Sequence, residues 1–77
     1  MVIWEAELDG KYDCTVTRRS DTLGTLTVTT KDGKNLYTGI VSLMYGAVFG
    51  PDVEDMELWE KMCIEVVDNP KDYNATT

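Results

Sequence analysis

Asp9-Gly10 stands between two runs in which apolar and polar side chains alternate, and this constrains the chain more tightly than anything else in it. In residues 2–8, Trp4, Ala6 and Leu8 share one side, and Glu5 and Glu7 the other. In residues 11–19, Tyr12, Cys14 and Val16 face one way, and Asp13, Thr15 and Thr17 the other. A period of two is the mark of a half-buried strand. Asp-Gly supplies the two positive-φ positions of a hairpin turn whose twist matches that of its strands. The opening of the chain therefore reads as a β-hairpin.

The pattern continues. Ser20 to Gly24 reads as a looser turn, and residues 25–30 as a third strand with Leu26 and Val28 inward and threonines outward. Lys31-Asp32-Gly33-Lys34 is a second tight turn before a fourth strand over residues 35–43. There Leu36 and Ile40 point one way, and Tyr37, Val41 and Leu43 the other; Gly39 marks a bulge or a close backbone approach.

From Pro51 the period changes. Proline suits a first helical position, and Asp52, Glu54 and Asp55 fill the first turn, where the helix dipole favours negative charge. Val53, Met56, Trp59, Cys63, Val66 and Val67 recur at three- and four-residue spacing, with Glu54, Glu57, Lys61 and Glu65 opposite. This predicts an amphipathic helix ending near Asp68-Asn69-Pro70. The expected fold is α+β: a four-stranded antiparallel β-meander with one C-terminal helix packed on one face. Residues 1–69 form a single domain in this reading, and residues 70–77 a flexible tail.

Composition narrows the function. The 77 residues include no histidine, which removes the commonest general base and metal ligand. There is no phosphate-binding glycine loop, nucleophile elbow or metal-spaced cysteine pair. No catalytic, cofactor-binding or metal-binding residue is expected, and the chain reads as a non-enzyme with no cofactor. The two cysteines, Cys14 on an inward strand face and Cys63 on the helix stripe, read as small apolar core residues. A disulfide tying helix to sheet is the open alternative. Trp4 and Trp59 are expected in the core, one from each layer, with a partner surface as the other possibility for one of them.

The net charge of −7 argues against direct binding of nucleic acid or an anionic membrane. It is unevenly spread. Residues 1–50 hold six acids and five bases, a net −1, and residues 51–77 hold eight and two, a net −6. Two protein-binding candidates follow. One is the uncharged stretch around Tyr45, Val48 and Phe49, read either as a lid on the core or as an exposed interface. The other is the acidic helix face of Glu54, Glu57 and Glu65, which could also imitate a nucleic-acid backbone. A homodimer, or a small assembly subunit forming a homo-oligomer, is a further possibility. No apolar run reaches the ~18 residues of a membrane span. The N-terminus has no basic region of a secretory signal, so a cytoplasmic location is expected.

Trp4-Glu5-Ala6-Glu7-Leu8-Asp9-Gly10-Lys11-Tyr12, followed by Cys14-Thr15-Val16-Thr17-Arg18, resembles the opening of short accessory proteins from bacteriophages of actinobacteria. Tyr45-Gly46-Ala47-Val48-Phe49-Gly50-Pro51-Asp52-Val53, with Trp59 downstream, is similar to their second half. The resemblance implies an accessory protein made in a bacterial host cytoplasm, acting by binding or inhibiting a host protein. It transfers no site residue.

Overall fold

A computed structural model describes residues 1–43 and 53–69. Four strands, β1 (Val2–Leu8), β2 (Tyr12–Arg18), β3 (Leu23–Thr30) and β4 (Asn35–Ser42), form one antiparallel sheet in the order β1-β2-β3-β4. One helix, α1 (Val53–Asp68), follows. The α+β meander with a C-terminal helix is as the patterning predicts.

The turns show why the meander forms. Asp9 and Gly10 both take positive φ, 54° and 64°, and the Lys11 N–H donates to the Leu8 carbonyl at 2.9 Å. Lys11 is the third residue of the loop, and pairing resumes with Leu8 opposite Tyr12, one residue later than a two-residue loop would place it. Between β2 and β3, the Ser20 hydroxyl oxygen accepts from the N–H groups of Thr22 and Leu23, a side chain standing in for the backbone. Between β3 and β4, Gly33 sits at φ 91°, and its N–H donates to the Thr30 carbonyl. The Thr30 hydroxyl donates to Asp32 and accepts from the Lys34 N–H.

One face of the sheet makes the core with α1. Cys14, Val16, Leu26, Val28, Val41 and Leu43 from the sheet side meet Trp59, Cys63 and Val66 from the helix, all buried. Trp4 and Trp59 meet edge to face, with ring centroids 5.7 Å apart at 62°. Trp4, Ala6 and Leu8 are half-buried against this cluster, as the alternation of β1 requires.

The opposite face carries rows of cross-strand polar neighbours. Glu5, Thr15, Thr27 and Thr38 lie side by side across the four strands. Lys31 bridges Asp13, at 2.7 Å, and Glu7.

Two sequence expectations need correction, and the open choice at Gly39 is decided. β3 begins at Leu23, not Thr25, because Gly24 pairs with Arg18 and Val41 rather than turning. Gly24 is buried where a Cβ would stand 3.1 Å from the Thr17 carbonyl and 3.3 Å from Leu43. The irregularity in β4 falls at Leu36, where pairing steps from Val28–Tyr37 to Thr29–Asn35, and not at Gly39. Gly39 pairs regularly with Leu26, and the Tyr37 ring lies over it, so its role is close approach. The extra residue separates Leu36, which packs against the core cluster, from Ile40, with which it was expected to share a facing. Ile40 stands opposite in facing to Tyr37, Val41 and Leu43, as expected, and is 75% exposed on the face away from α1. Asp55 stands in the first turn, as expected, and is only 7% exposed there. It stands one turn before Trp59, on the side of α1 that meets the sheet.

Candidate functional interface

Helix α1 is held by a narrow stripe: Asp55, Trp59, Cys63 and Val66 recur every three or four residues and are all buried. The outward half of the helix is therefore free to carry function. The three carboxylates expected there, Glu54, Glu57 and Glu65, are all exposed on it, together with Lys61.

Periodicity missed the apolar residues between them. Leu58 is 56% exposed, Ile64 is 41% exposed, and Met62 is half-buried. Leu58, Lys61, Met62, Ile64 and Glu65 line an open cleft of about 430 Å3. A second depression of about 320 Å3 is lined by Glu57, Glu60, Lys61 and Ile64. Lys61 and Ile64 border both, so the two form one surface. The signal was present in the sequence. A stripe already supplied with Trp59, Cys63 and Val66 has no need of Leu58 or Ile64, so leftover apolar residues on a helix mark a second surface.

This arrangement can take an aliphatic or aromatic side chain from a partner onto Leu58, Met62 and Ile64. The surrounding carboxylates can accept hydrogen bonds from lysine or arginine at the rim. An apolar centre with a charged rim is the usual anatomy of a protein interface. Tyr45, Val48 and Phe49, the other protein-binding candidates, lie outside the described residues.

Cys14 and Cys63 are both free thiols, fully buried, and in contact between β2 and α1. This is the core reading of the pair and not the disulfide. Cys63 donates to Cys14, and that bond together with burial pushes the Cys63 thiol far above its ordinary range. Accepting the bond lowers Cys14. Among the described residues, no group of three or more His, Cys, Asp or Glu is placed to hold a metal ion. No described helix is long and apolar enough to cross a membrane.

Comparison of the chain with protein-family models, with curated proteins and with solved structures gave no match. The class defined here is thus architectural: an α+β meander with a single helix across one face.

Proposed function

We propose that this chain is a small non-enzymatic protein-binding module, and that the outward face of α1 is its docking surface. In this reading it is a bacteriophage accessory protein that binds or inhibits a bacterial host protein in the host cytoplasm. The observation that carries the binding role is the exposure of Leu58 and Ile64, which line one cleft with Met62, Lys61 and Glu65. Such residues cost solubility where they stand and are not needed to hold the helix on its sheet.

The test is affinity capture from bacterial lysate with the tagged protein, repeated with Leu58→Lys and Ile64→Lys. Both changes lie on the solvent side, so the circular dichroism spectrum should be unchanged. The captured partner should be lost, with affinity falling at least about tenfold for each change, as for a central apolar contact. Capture that survives both variants would remove α1 as the docking face.

A second reading is an acidic mimic of nucleic acid that blocks a DNA-binding protein. It draws on the exposure of Glu54, Glu57 and Glu65 on one helix. It predicts binding that collapses with added salt and with Glu54→Gln, Glu57→Gln and Glu65→Gln combined, while tolerating Leu58→Lys.

A further inference from the structure

The two edges of the sheet are guarded differently. β1 carries Glu5 and Glu7, and its pairing slips between Val2 and Trp4. Charge and irregularity are both protections against edge pairing. β4 has no charged residue and no proline from Asn35 to Ser42, and its irregularity is confined to the Leu36 end.

The direction of the β4 backbone groups follows from one bond. The Leu43 N–H donates to the Thr22 carbonyl, on the β3 side, at 2.8 Å. In an antiparallel pair, the N–H and C=O of one residue point to the same side, and the sides alternate along the strand. Tyr37, Gly39 and Val41 therefore spend their backbone groups on β3. Thr38, Ile40 and Ser42 turn theirs to the edge that no other described strand pairs, and all three are exposed. With three outward residues, the middle one is a natural centre of symmetry. It is Ile40, the large apolar residue most exposed on the sheet apart from the N-terminal Met1.

We propose that the chain dimerises with a second copy of itself along β4, antiparallel, with the two-fold axis at Ile40. Ile40 then lies opposite the partner's Ile40, and Thr38 opposite the partner's Ser42. Every outward N–H and C=O of the three residues finds its complement, and the four-stranded sheet continues into the second copy. The isoleucines meet on the face away from α1, where Leu23, opposite Ser42 and 45% exposed, extends the apolar surface.

Charge favours this occupant. The acidity of the chain is concentrated after residue 50, whereas the β4 edges that meet are neutral. Pairing β4 to β1 of another copy would set the neutral strand against the irregular, glutamate-bearing edge. It would also leave one edge open at each step and so polymerise, whereas pairing β4 to β4 closes. Because two short strands make a small interface, the dimer should be weak, with Kd on the order of 10 μM or above.

Sedimentation velocity over about 5 to 500 μM tests this, since the range brackets that constant. The wild-type mass should climb from 8.7 kDa towards twice that value. Ile40→Lys should hold it at the monomer, and so should Ile40→Pro, which removes an N–H turned away from β3. Leu58→Lys on the helix should leave dimerisation intact. Ile40→Cys under mild oxidation should give a disulfide-linked dimer, whereas Leu58→Cys should not. This second measurement holds even if proline disturbs the fold. A constant monomer, a dimer insensitive to Ile40→Lys, or one lost instead with Leu58→Lys would overturn the proposal.

Discussion

At residue scale, Tyr37 and Gly39 act as a pair. A Cβ at position 39 would clash with the hydroxyl end of the tyrosine, 2.6 Å from its Cζ. Glycine weakens a strand interior, and an aromatic ring folded over it restores the lost packing. Gly39→Ala should therefore expel the ring and destabilise the domain by about 1–3 kcal/mol, the usual cost of overpacking. In a Tyr37→Ala background the same change should cost less, because nothing remains to expel. A double-mutant cycle by urea unfolding reads the difference, and equal costs in the two backgrounds would refute the pairing. Glycine in a strand pattern already signalled something special at this position. Which of bulge or close approach it was depended on where the register slipped, and that slip is at Leu36.

At the scale of elements, the β3–β4 turn carries its own titration. The Thr30 hydroxyl, donating to Asp32, holds that carboxyl below its ordinary range. A group whose folded value is depressed contributes stability that is present above the unfolded value. That stability is lost as pH falls through the folded one. The turn should therefore loosen only in acid, below the usual aspartate range. Thr30→Val should move Asp32 back up towards its ordinary range in an NMR titration. Lys31, next in the chain, works in the opposite sense. Asp13 and Glu7 raise it, so its contribution is present at neutral pH and is lost only in strong alkali. Both side chains are exposed, so each effect is small.

The turn and strand positions were legible because Asp-Gly, Gly33 and period-two alternation are local signals. In β4 the alternation from Tyr37 to Leu43 was legible too, and only the facing of Leu36 was not, because the extra residue there falls outside the regular pairing. Helix α1 was legible as to length, buried apolar stripe and acidic first turn, but the burial of Asp55 within that turn was not. Its burial is a matter of angle around the axis, where it falls in line with Trp59.

At the scale of the whole molecule, the sheet and α1 share a single core with the two thiols at its centre. Cys14 belongs to β2 and Cys63 to α1, and neither is reachable while the layers are docked. A thiol reagent should therefore label both together, over the same urea range in which circular dichroism reports global unfolding. Labelling of Cys63 while the sheet signal is intact would instead show α1 lifting off as a separate unit. The candidate interface belongs to this scale too. Leu58, Met62 and Ile64 become a surface only because Trp59, Cys63 and Val66 are the side that docks.

The amino-acid sequence by itself determined the order of elements, the two tight turns, the inward face of the first three strands and the helix stripe. All of these rest on spacing within a few residues, where backbone geometry converts pattern directly into facing. The tertiary structure alone decided that Asp55 is buried, that Gly24 and Gly39 serve close approach, that the thiols meet without a disulfide, and that the strand of Ile40 lies at an edge paired by no other described strand. Each of these depends on what another element brings to the same place, and no local period encodes that.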